Sequence, residues 1–129
     1  MMVPVSRYVE TPIREMTREE IEQACASLGL TPATASRPGG TLMLEGCLES
    51  AGRPVHLRWG PGTLDAAEDF GILVTGDRLS LICGDVDRAL LHTRLLTPLR
   101  AEVVRLRAEA HGVQTEVSEG AVTISMPDD

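Results

Sequence analysis

Three cysteines and three histidines are the residues best suited to metal or nucleophile chemistry: Cys25, Cys47, Cys83, His56, His92 and His111. None shows the Cys-x-x-Cys or His-x-x-x-His spacing that gathers ligands around one ion. Cys25 falls on the apolar stripe of a predicted helix, and Cys83 on a strand opposite Phe70. Both positions suit a small core residue. Cys47 and His56 fall opposite each other on a predicted hairpin, which sets an imidazole beside a thiol. Activation would need a third group to orient the base, and Glu45 and Glu49 are the nearest acids. No nucleophile elbow or oxyanion loop accompanies them, and two ligands are too few for structural zinc. The expectation is no metal, no cofactor and no catalytic residue.

Paired carboxylates are the next chemistry to weigh, because they hold Mg²⁺ or divide acid and base roles. Asp65, Glu68 and Asp69 follow a Gly-Pro-Gly loop, where solvation explains them. Asp85 stands where a helix N-cap is needed, and Asp87 complements the dipole of the first turn. Gly60-Pro61-Gly62-Thr63 lacks the Gly-Lys-Ser/Thr ending of a phosphate loop, and Pro61 removes an N–H. What remains is an interaction surface. Trp59 ends a strand beside the 60–69 loop, and tryptophan is enriched at binding hot spots. The candidate interaction residues are therefore Trp59, His56, Arg58, Asp65, Glu68 and Asp69.

Charge and composition narrow the partners. The chain has 129 residues and a net charge of −7, a surface that repels nucleic acid. All 12 of its cations are arginine, and its densest basic run, Arg94 to Arg107, is interrupted by Glu102. Tyr8, Trp59 and Phe70 are the only aromatics, too few to stack bases and enough only to decorate an aliphatic core. Widely spaced, odd-numbered thiols do not form a disulfide framework. No apolar run reaches membrane-spanning length, and no signal-peptide pattern is visible. The expectation is a cytoplasmic protein without membrane or nucleic-acid contact, formed of one domain over 1–129.

The elements that must position these residues are legible in part. Val3 to Val9 reads as a strand. Thr17-Arg18-Glu19-Glu20 is a capping box. Ile21, Ala24, Cys25 and Leu28 then form one apolar stripe, and Gly29 supplies a left-handed end. This predicts a helix over 18–28. Runs 42–50 and 53–59 form a hairpin about Ala51-Gly52, which sets Leu48 opposite Val55, Cys47 opposite His56 and Glu45 opposite Arg58. A second hairpin about Gly76-Asp77 sets Val74 opposite Leu79 and Ile72 opposite Leu81. A helix follows over 86–96. Thr97 and Pro98 open another, because proline pushes its predecessor out of the helical region. A third hairpin about Glu119-Gly120 sets Val117 opposite Val122. The order β-α-β-β-β-β-α-α-β-β predicts an α+β fold: a mostly antiparallel sheet, helices on one face, and ferredoxin-like or helix-grip-like layering.

Ser6-Arg7-Tyr8 before the capped helix, Asp69-Phe70-Gly71-Ile72 through Gly84-Asp85, and the helix ending His111-Gly112 occur in a suggestive order. That order resembles a small cyanobacterial and chloroplast family, the hypothetical reading frame numbered thirty-five, a domain of unknown function. The chain lacks the Tyr and Trp of that family's central hairpin. The resemblance implies a small α+β protein and brings no catalytic residues with it. Two functions remain: an accessory or adaptor domain that binds a protein or itself, without catalysis, or a small-molecule or metal site between sheet and helices.

Overall fold

The computed structural model describes residues 8–46 and 52–112, and the backbone of 114–118 and 121–125. Helix α1 (Arg18–Leu28) starts at its capping box. Thr17 Oγ1 accepts from Glu20 N at 3.2 Å, and Glu20 Oε1 accepts from Thr17 N at 3.0 Å. Gly29, at φ 71°, ends the helix, and Leu30 N–H donates to Cys25 C=O at 2.8 Å. Ile21, Ala24 and Cys25 are buried, as the stripe predicts.

Strands β1 (Tyr8–Ile13), β4 (Leu57–Trp59), β5 (Phe70–Thr75) and β6 (Arg78–Gly84) make a four-stranded sheet in the order β1-β6-β5-β4. Every pair in it is antiparallel, so it contains no split β-α-β unit. The fold is α+β with a mostly antiparallel sheet. Side chains alternate between its faces. Ile13, Leu57, Trp59, Phe70, Ile72, Leu79, Leu81 and Cys83 join one core with Ile21 and Cys25 of α1 and with the C-terminal helices. Tyr8 and Ile82 point the other way and meet Leu44 and Val55. Val55 belongs to a small two-stranded sheet, β2 (Leu42–Met43) with β3 (Pro54–Val55), and Leu44 follows its first strand. Helices thus cover one face and the small sheet the other.

Three expectations change. First, the described N-terminal strand runs on to Ile13, beyond the expected end at Val9. Pro12 is tolerated there because β1 is an edge strand. Second, Val55 pairs with Leu42 instead of Leu48, and β4 pairs with β5 instead of continuing the first hairpin. His56 breaks the 53–59 run by turning its N–H to Ile72 C=O at 2.8 Å. The expected Cys47–His56 pair lies outside the described residues. Third, the helical segment after β6 does not end before Pro98. A turn of 3₁₀ helix (Asp85–Asp87) leads into α2 (Arg88–Leu91), a π-turn (His92–Leu96) and α3 (Thr97–Ala110) without a break. Thr97 is helical, and its hydroxyl donates to His92 C=O at 3.0 Å, so it is not an N-cap. The wider π-turn makes room for the proline ring that would otherwise strike the preceding turn.

The β5–β6 register agrees with expectation, with Ile72 opposite Leu81 and Val74 opposite Leu79. The third hairpin, β7 (Gln114–Ser118) with β8 (Ala121–Ser125), pairs Val117 with Val122 as predicted. Among the described residues, no helix is long and apolar enough to cross a membrane.

Candidate functional site

The sequence-predicted residues separate into a structural knot and positions scattered elsewhere in the fold. Asp69 is the centre of the knot. It is 2% exposed, although it sits among loop acids expected to be solvated. Its Oδ1 accepts from Tyr8 Oη and from Gly46 N at 2.9 Å. Its Oδ2 accepts from Glu45 N at 2.7 Å, and from Arg58 Nε and Nη2 at 3.0 and 2.9 Å. Burial pushes the Asp69 carboxyl up, but donation from Tyr8, Glu45, Gly46 and Arg58 outweighs it and holds the group below its ordinary value. A carboxylate offers about four acceptor sites. All are filled by protein donors, so Asp69 has nothing left for a substrate. Glu45 and Arg58 do approach, at 3.9 Å, but through this knot and not as cross-strand neighbours.

Arg58 is committed to the same knot. Trp59 is 4% exposed; its ring stacks on Phe70 at 5.4 Å, and Nε1–H donates to Leu30 C=O at 2.7 Å. It closes one end of the core and offers a partner no surface. His56 Nδ1 accepts from Val74 N at 2.9 Å, which fixes the neutral tautomer. Burial, with the charge of Arg18 second, lowers its pKa. Asp65 is exposed and pairs with Arg94. Glu68 is tied through its backbone N–H, at 3.0 Å, to the buried carboxylate of Asp87, which also receives Ala67 N at 2.8 Å. Asp65, Glu68 and Asp69 therefore do not converge on a common point. Cys25 and Cys83 are fully buried free thiols, each pushed up to about 11 by burial, which leaves them inert. Among the described residues, no three His, Cys, Asp or Glu side chains gather closely enough to hold a metal ion.

The concave site lies elsewhere, between the β1 edge and the helix that follows β6. A groove of about 510 Å³ has Thr11 and Leu81 on the sheet side. On the helix side it is lined by Asp85, Arg88, His92 and Thr93, with Ala89 and Leu96 between them. Those six recur at i, i+3, i+4, i+7, i+8 and i+11, one face of a helix. The fold explains the placement. Asp87 anchors the first turn to the 67–68 backbone, and buried Leu91, Leu95 and Leu99 bind the opposite face to the core. The π-turn falls at the groove, a device common at functional sites. Leu81 and Leu96 form a buried apolar floor, while Arg88, His92 and Thr93 are exposed. Thr11 shares the helix-covered face of β1 with Val9 and Ile13, and its buried Oγ1 has no hydrogen-bond partner. A second depression, about 160 Å³ between α1 and α3, is spanned by the Arg107–Glu20 ion pair.

Sequence reasoning misses this site, because 86–96 reads as a capped helix with a solvated face. One signal is present: Thr11 is polar on a strand face whose neighbours are apolar. No family model, curated protein or solved structure matches the chain significantly.

Proposed function

We propose that this chain is a binding domain without catalysis of its own, which holds a small ligand in the groove between its sheet and its helices. The groove itself carries this reading. Its volume lies within the range of roughly 300–1,000 Å³ typical of small-molecule sites. A few polar groups stand around a short apolar floor, the composition such sites use. The alternative, a protein partner, draws on Trp59 and on open sheet edges. Trp59 is buried. The β4 edge is bridged by Ala33, whose N–H and C=O both bond Arg58. The β1 edge carries Pro12, which has no N–H to give an added strand, and the charged Glu10. Both edges of the four-stranded sheet are thus blunted, which favours the small-ligand reading at that sheet. A reducing cytoplasm suits the two buried free thiols.

A two-dimensional NMR screen of small amphipathic compounds tests the reading. Amide signals of Thr11, Ala89 and Thr93 should move together for some of them. Ala89→Phe, an exposed substitution that fills the groove, should abolish those shifts and leave the spectrum of a folded protein. A screen in which no compound moves these signals would sink the proposal.

A further inference from the structure

We infer that the groove selects a small organic anion with an apolar body, its carboxylate held by Arg88 and its body laid on Leu81 and Leu96. This rests on the small-ligand reading and adds the ligand's charge to it. Arg53, Arg58, Arg94, Arg105 and Arg107 each pair with a carboxylate of the chain itself. Arg14, Arg37, Arg78, Arg88 and Arg100 have no ion-pair partner among the described residues, and of these Arg88 is the one that lines the groove. What sets Arg88 apart is its place: its charge stands beside the apolar floor of Leu81 and Leu96, where an amphipathic anion meets both.

The neighbours extend the argument. His92 lies one turn on from Arg88, on the same helical face, and can donate a second hydrogen bond to the same anion. Across the groove, Thr11 and Leu81 supply the sheet-side wall against which the ligand's body rests. A guanidinium fork matches a carboxylate in the bidentate manner. Asp85 also faces the groove and is the one group that opposes an anion. It is already engaged in a polar interaction of its own. The floor of Leu81 and Leu96 gives an apolar body beside that anion a surface to lie on.

Octanoate and its neutral counterpart octanamide separate charge from apolar burial. Each is titrated into the labelled chain and followed at Thr11, Ala89 and Thr93. Octanoate should bind about tenfold or more tightly than octanamide, the gain of a charge-assisted hydrogen bond. Arg88→Gln should erase that preference. Arg78→Gln, at the distant β5–β6 turn, should keep it. Both are exposed positions, and an unchanged melting temperature confirms that each variant is folded. Equal binding of the two probes at the groove would overturn the anion assignment and leave the small-ligand reading standing. The anion assignment also fails if octanoate is silent while other screened compounds move the three signals. Silence from the whole screen overturns both.

Discussion

A methyl group placed on Gly46 would run into Tyr8, striking its hydroxyl and approaching Cζ to 2.6 Å. The backbone there has φ +40°, which already disfavours a side chain. Gly46 N–H and Tyr8 Oη both serve the same Asp69 oxygen, so neither can step aside without uncovering a buried acid. Gly46→Ala should therefore cost about 2–3 kcal/mol in urea unfolding, the range for overpacking that also opens a buried hydrogen bond. A loss below about 0.5 kcal/mol would mean that the 44–46 segment is not clamped. Composition cannot announce this knot. Asp69 reads as a loop acid because its donors come from residues far away in sequence, and nothing local to 65–69 distinguishes it from Asp65. Asp65 stays in solvent with Arg94. Burial decides their different roles, and burial is a property of the assembled fold.

At the scale of elements, the legible ones are those whose signals are local. The capping box, apolar stripe and left-handed glycine of α1 all lie within a short window, and the helix begins and ends where they place it. The β5–β6 turn fixes its own register in the same way. The first hairpin is not legible in this way, because alternation constrains register only to even steps. Sliding Val55 from Leu48 to Leu42 keeps every side chain on its own face, so the pattern cannot distinguish the two. Glu45 and Arg58 do meet, but their ion pair is compatible with either pairing and is weak evidence for one. The helix after β6 escapes local rules because a π-turn absorbs Pro98, where those rules predict a break. That helix rests on Asp87. Its carboxylate holds the N–H groups of Ala67 and Glu68, and it is 3% exposed. Asp87→Ala leaves two donors without a partner and should cost about 2–3 kcal/mol. Because it also frees the first turn of the groove helix, amide exchange should accelerate at 67–68 and 85–91 and stay slow in α1. Uniform acceleration across the chain would show that Asp87 contributes only to global stability.

Over the whole molecule, these titratable groups give the fold two separate responses to acid. His56 is held neutral, with Nδ1 accepting from Val74 N–H and its pKa lowered by burial and by Arg18. A histidine lowered in the folded state binds its proton more readily when unfolded. Its contribution is complete above the unfolded pKa of about 6.5 and is lost as pH falls through that value toward the lower folded one. The carboxylates act later. Arg107 is the main cause that draws Glu20 down from 4.5 to about 2, and Asp69 is held below its ordinary 3.8. Their contributions are complete above those ordinary values and fall away as pH drops beneath them. Glu20 lies near the surface, where screening reduces its share, so the second limb belongs mostly to buried Asp69. Urea midpoints measured from pH 8 to pH 3 should show a plateau, a first decline below about 6.5, and a steeper one below about 4. His56→Gln keeps an oxygen acceptor for Val74 N–H and cannot titrate, so it should remove the first decline and preserve the second. A wild-type midpoint that stays flat from pH 8 to pH 5 would contradict a neutral His56 bonded to the β5 backbone. The steeper limb would then stand alone, on the knot around Asp69 that holds the small sheet to the large one.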